Sequence, residues 1–188
     1  MFAILFNLAG TMLLALTALV TPLQGGSGPG PGPGPGGDPP AALTDDEKTD
    51  LLFMREEEKL ARDVYREMYT LWGLPIFRNI ANAEQAHMNA VLRLLNRHGL
   101  ADPVGDNPPG VFANAELQAL YTDLIARGSV SVAAALQDGV DIETADIADL
   151  QDALARTTHR DITRVYSNLL RASQKHLAAF SRVLNIYE

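Results

Sequence analysis

Four stretches of the chain repeat apolar residues at steps of three and four, the spacing that turns one helix face toward a core. Every one of them interrupts that face with polar groups near mid-length. The first stripe reads Leu51, Met54, Glu58, Ala61, Tyr65, Met68, Trp72, and the second Phe77, Ile80, Glu84, His87, Val91, Leu94, His98. The third reads Val132, Leu136, Gly139, Glu143, Asp146, Leu150, Ala153, and the fourth Ile162, Tyr166, Leu169, Ser173, His176, Phe180, Val183. An unpaired carboxylate inside a core costs several kcal/mol, so these interruptions are tolerable only if they compensate one another.

The helix ends are marked as clearly as the faces. Thr44-Asp45-Asp46-Glu47 is a capping box that opens a helix running to Trp72, where Gly73-Leu74-Pro75 stops it. A second helix is expected from about Ile76 to His98, ending at Gly99, followed by a loop through Phe112. Asn114 caps a short helix that ends near Gly128; Ser129 or Ser131 opens the third long helix, which ends near Arg156. The fourth runs from about Asp161 to Tyr187, and no strand signal is present. Short turns make antiparallel hairpins of helices one and two and of helices three and four. A connection of roughly thirty residues between the hairpins can travel the length of a bundle. The expected fold is all-α, a ferritin-like four-helix bundle with a short extra helix in its crossover.

Ahead of the bundle, residues 1–23 are almost wholly apolar, and Phe2 to Val20 is about long enough to cross a bilayer. They read as a signal peptide or a membrane anchor, although no basic residue precedes Lys48. Residues 24–43 form a Gly/Pro-rich linker whose alternation supports neither helix nor sheet. Residues 44–188 carry the fold. Export is the expectation, to a periplasmic, extracellular or outward-facing anchored position, with the membrane as a partner if the segment is retained. The chain has 15 Lys+Arg against 23 Asp+Glu, a net charge of -8, which disfavours nucleic acid as a partner. It has no Cys, so thiolate metal sites, Fe–S clusters and cysteine nucleophiles are excluded, and metal chemistry must rest on Asp, Glu and four His.

The polar interruptions have a chemical pattern. A Glu and a His three residues apart point the same way on a helix and can chelate one cation. Ferritin-like dimetal bundles use one Glu from each of two helices and Glu-x-x-His from each of the other two. This chain offers Glu58, Glu84-x-x-His87, Glu143 and Ser173-x-x-His176. The run Glu58-Lys-Leu-Ala-Arg-Asp-Val-Tyr65 resembles the first helix of rubrerythrins and other ferritin-like proteins, and Ala83-Glu84-Gln85-Ala86-His87-Met88 resembles their second. With FMREEEKLARDVY, AEQAHM and NLLRASQKHLAAF, residues 44 to 186 resemble an uncharacterised prokaryotic ferritin-like family. That resemblance implies metal ligands at Glu58, Glu84, His87, Glu143 and His176; carboxylate oxygens with some imidazole suit one or two ions of iron or manganese. Redox chemistry toward oxygen or peroxide would follow. The departure is Ser173, where a carboxylate is expected; Asp146, one turn from Glu143, is the available substitute.

Blander readings stand beside this one. Glu58 lies in the run Glu56-Glu57-Glu58, and such a run is usually a solvated face. Glu143 and Asp146 could instead pair with Arg62 or Arg171 in a metal-free ionic network. His98 is read as a cation at a helix C-terminus, and His159 as a surface residue. Tyr65 and Tyr166 are read as packing residues whose hydroxyls can reach site carboxylates. The competing function is a non-enzymatic, tethered or secreted binding module with a vestigial site. A homodimer through an exposed helix face is conceivable, and a storage shell is not expected.

Overall fold

The computed structural model describes residues 42–187, all of whose regular structure is helical. The helices are α1 (Asp45–Trp72), α2 (Pro75–Arg97), α3 (Ala115–Gly128), α4 (Val132–Arg156) and α5 (Arg160–Tyr187). Residues 1–23 and nearly all of the linker lie outside the described residues. Among the described residues, no helix is long and apolar enough to cross a membrane. Leu43, at the end of the linker by sequence, already packs into the core.

Local chemistry sets each boundary. The Thr44 side chain accepts from Glu47 N–H while the Glu47 carboxylate accepts from Thr44 N–H, a complete capping box. Gly73 ends α1 at φ 68°, a left-handed conformation that side-chain-bearing residues resist. The next helix starts at Pro75 rather than Ile76; a proline fits the first helical position because its missing N–H would have no partner there. Asn114 caps α3, accepting from Glu116 and Leu117 N–H. Of the two candidate serines, Ser131 caps α4 by accepting from Ala134 N–H, and Ser129 closes α3.

The long helices pack as two hairpins, α1 with α2 and α4 with α5, joined into a bundle by α1–α4 and α2–α5 contacts. The short α3 lies on α1 and α4. Two apolar clusters fill the bundle. One gathers Tyr65, Met68, Phe77, Leu136 and Phe180, the other Leu51, Met54, Val91, Leu150 and Tyr166. Each fully buried large side chain contributes about 1.5–3 kcal/mol. Gly139 lets Phe180 lie against α4, since a Cβ there would meet its ring at 2.6 Å.

The crossover is tied to the outer face of α1. Arg55 donates twice to the Asp102 carboxylate, at 3.0 and 2.9 Å, and once to Met88 O. Both oxygens of Glu56 accept backbone N–H groups, from Ala113 and Asn114. Lys59 Nζ reaches Asp63 Oδ2 at 2.7 Å and Pro108 O at 2.9 Å, and Gly110 N–H donates to the same Asp63 oxygen. The acidic run is therefore not a solvated face: Glu56, Glu57 and Glu58 are all buried, because α4 and the crossover cover the sides of α1 that a two-helix contact would leave wet.

Candidate metal centre

Between the two apolar clusters the polar interruptions of all four long helices meet. Each of the two central histidines faces a different oxygen of one carboxylate. His87 Nδ1 lies 2.6 Å from Glu84 Oε2 and 3.2 Å from Glu58 Oε2. His176 Nδ1 lies 2.8 Å from Glu84 Oε1 and 3.5 Å from Glu143 Oε2. The rings stack with centroids 5.7 Å apart. Two three-residue groups result, Glu58–Glu84–His87 and Glu84–Glu143–His176, each with its ligand atoms within 4.8 Å of one another. Glu84 belongs to both.

Asp146 is buried and lines the same small cavity as Glu57, Glu58, Glu84 and Glu143, but it stands outside both three-residue groups. The space these acids enclose, ≈ 10 Å³ for the centre of a water-sized body, has room for about one such body. Ser173, buried on α5, donates to Leu169 O at 3.0 Å and sits close enough to Asp146 to stabilise its charge. Tyr65 donates to Glu143 Oε1 at 2.8 Å, whereas the Tyr166 hydroxyl has no partner. Neither arginine of the metal-free ionic reading reaches these acids: Arg62 serves Asp63 and Gln85, and Arg171 stays with Ser167 and Asn168.

The cluster holds five buried carboxyls against two imidazoles. Burial, then the charges of Asp146 and Glu84, push Glu58 well above the carboxylate range. Burial, then Asp146 and Asp149, do the same to Glu57. Burial lifts Asp146 to about 8 with help from Glu143, and lifts Glu143 to about 7 despite its contact with His176. Glu84 is the exception: burial opposes its charge, yet the contacts with His176 and His87 hold it at about 2. The histidines respond in kind. Burial works against protonation, but Glu143 and Glu84 raise His176 to about 9, and Glu84 raises His87 as well.

Glu58 Oε1, Glu84 Oε1, Asp146 Oδ1, Glu57 Oε2 and His176 Nδ1 are all buried without a hydrogen bond. His176 Nδ1 and Glu84 Oε1 are close but not aligned as donor and acceptor. A buried orphan acceptor costs about 1–3 kcal/mol, so several together are unfavourable unless something satisfies them. Carboxylate oxygens with some imidazole nitrogen suit a hard-to-borderline divalent ion, so the donor set fits iron or manganese.

All six residues picked from sequence thus lie in one cluster. Glu57 is the member that the stripe reading missed, because it lies off the stripe, on the side of α1 that α4 covers. Of the outlying histidines, His98 stands at the C-terminus of α2 as expected, its Nε2 3.0 Å from Asp161. His159 differs from expectation: it is not a fully exposed surface residue, since its Nδ1 lies 2.8 Å from buried Glu47, whose other partners include Thr157. The capping box of α1 thereby also clasps the α4–α5 turn.

The chain shares 46% identity over 149 residues with the uncharacterized protein MJ0754 of Methanocaldococcus jannaschii, covering 79% of this chain and 80% of that protein. The crystal structure of hypothetical protein MJ0754 from Methanococcus jannaschii DSM 2661 matches with a TM-score of 0.77, over 79% of this chain and 85% of that one. A DUF305 fragment from Deinococcus radiodurans shares the helical fold with a TM-score of 0.56 at 16% identity, over 77% of this chain and 98% of that one. The family described as "Uncharacterized protein domain (DUF2202)" matches residues 47–187, and the chain belongs to that family.

Proposed function

We propose that the domain is a ferritin-like bundle whose central carboxylates and histidines hold one or two ions of iron or manganese. The observation that carries this reading is the pair of three-residue groups sharing Glu84, with buried oxygens of Glu58 and Glu84 left without a hydrogen bond among the described residues. Glu58 and His87 would complete one position with one oxygen of Glu84, and Glu143 and His176 the other position with its second oxygen. Iron or manganese held there would supply redox chemistry toward oxygen or peroxide. Tyr65 fixes the orientation of Glu143 through its hydroxyl, and the apolar clusters on both sides exclude bulk water. Asp146 and Glu57 add charge next to these positions where Ser173 brings none.

Metal analysis of protein purified without chelator tests the reading. Bound iron or manganese, and a melting temperature that rises with added Fe(II) or Mn(II), are expected. Metal-free protein indifferent to Fe(II), Mn(II) and Zn(II) would sink it. The absence of a fourth ligating carboxylate on α5 favours one competing reading, a binding module with a vestigial site. Glu84→Ala combined with His87→Ala separates the two, since an unchanged phenotype supports the module. We further propose that residues 1–23 export or anchor the domain; fractionation with mass measurement of the mature N-terminus decides between cleavage and retention.

A further inference from the structure

The end of the bundle where α2 finishes and α5 begins carries charge opposite to that of the whole chain. A groove of ≈ 400 Å³ there is lined by Arg93 and Arg97 of α2 and by Arg160 and Arg164 of α5. Four of the chain's 15 basic residues thus meet in one groove of a protein whose net charge is -8. Asp161 is the one acid in the lining and is already engaged, by His98 at 3.0 Å and Arg97 at 3.3 Å. The guanidinium groups of Arg93, Arg160 and Arg164 make no hydrogen bond or ion pair with any described residue.

Ordinary helix chemistry explains only half of this arrangement. Arg93 and Arg97 lie near the C-terminus of α2, where the helix dipole favours cations. Arg160 and Arg164 lie in the first turns of α5, where the dipole disfavours them. Each pair is also spaced four residues apart, which stacks like charges on one helix face. The two unfavourable terms add across the groove, and among the described residues its lining supplies no acid besides the engaged Asp161.

We propose that this groove binds a phosphate-bearing anion, either a free diphosphate or polyphosphate or a phospholipid headgroup. Guanidinium forks match phosphate oxygens in pairs, and two facing rows of two suit more than one phosphate charge. The volume is that of a small-ligand site. The proposal does not depend on a metal in the core.

The test uses the full chain. Titration calorimetry with inorganic pyrophosphate is run beside co-sedimentation with phosphatidylglycerol and phosphatidylcholine vesicles. Both are repeated on Arg160→Glu with Arg164→Glu, and on the milder Arg93→Gln with Arg160→Gln, with circular dichroism confirming the fold. Saturable pyrophosphate binding is expected, or a preference for the anionic vesicles, weakened about tenfold or more by the charge reversal. Pyrophosphate binding alone identifies a free ligand, and vesicle preference alone identifies a headgroup. Neither signal, signals undiminished in both variants, or polyglutamate binding more tightly than pyrophosphate would overturn the proposal.

Discussion

Helix α1 carries two buried ionic assemblies on neighbouring faces, and they are built on opposite plans. On the outer face, Arg55, Lys59 and Arg62 meet Asp102 and Asp63, while Glu56 takes two backbone N–H groups. Every charge there has a protein partner, even Lys59 and Asp63, whose side chains are 0% exposed. On the inner face, Glu57, Glu58 and their neighbours Glu84, Glu143 and Asp146 outnumber two histidines, and orphaned atoms remain. Completeness marks the outer assembly as a clamp for the crossover. The inner assembly is left with more buried carboxyls than counter-charges among the described residues.

The largest effect is expected where the complete assembly is broken. Asp63→Ala strands Lys59 without a counter-charge and frees Gly110 N–H, so a loss of about 3–5 kcal/mol is expected in urea melts. The same kind of cut on the inner face should behave differently. In metal-stripped protein, Glu58→Gln removes one of too many carboxyls, so stability stays level or rises. If Glu58→Gln destabilised as much as Asp63→Ala, the contrast between the two faces would collapse.

The next effect concerns Glu84, the residue common to both groups. If the proposed metal reading holds, Glu84→Ala should abolish metal content at both positions, because each three-residue group uses it. The gain in stability on adding Fe(II) or Mn(II), about 2.7 kcal/mol at a hundredfold excess over Kd, should vanish with it. Loss of only half the metal would show that the two positions are independent.

Acidity provides a third, smaller contrast. In metal-stripped protein Asp146 holds its proton up to about pH 8, whereas the unfolded chain releases it near the ordinary carboxylate value. The folded state therefore binds more protons between those values, and stability falls as pH rises through that window. Asp146→Asn should flatten part of the fall, leaving the shares due to Glu143, which burial lifts to about 7, and to Glu57 and Glu58, which burial also raises. Urea midpoints across the window, with and without the substitution, measure it; parallel curves would place Asp146 in water. The smallest effect is Tyr65→Phe, which removes one hydrogen bond to Glu143 and should cost about 1 kcal/mol.

Much of this was legible in the sequence, for identifiable reasons. Helix ends rest on local chemistry, so Thr44, Gly73, Asn114 and Ser131 announce themselves without tertiary context. Faces rest on periodicity, so Glu58, Glu84, His87, Glu143, Asp146 and His176 could be picked as inward-facing before any packing was known. What periodicity could not supply was coverage of the remaining faces. Glu56 and Glu57 are buried only because the crossover and α4 happen to lie over them, and His159 is half-buried because Glu47 reaches across from another helix.

The sequence by itself determined four amphipathic helices, their ends and the residues each would turn inward, since all of these depend on neighbours within a few residues. Only the tertiary structure decided which inward groups share Glu84, that Asp146 stands beside the two groups rather than within them, and that four arginines from two helices line one groove. Those outcomes depend on the relative rotation and axial offset of packed helices, and shifting a helix by a fraction of a turn changes which side chains meet.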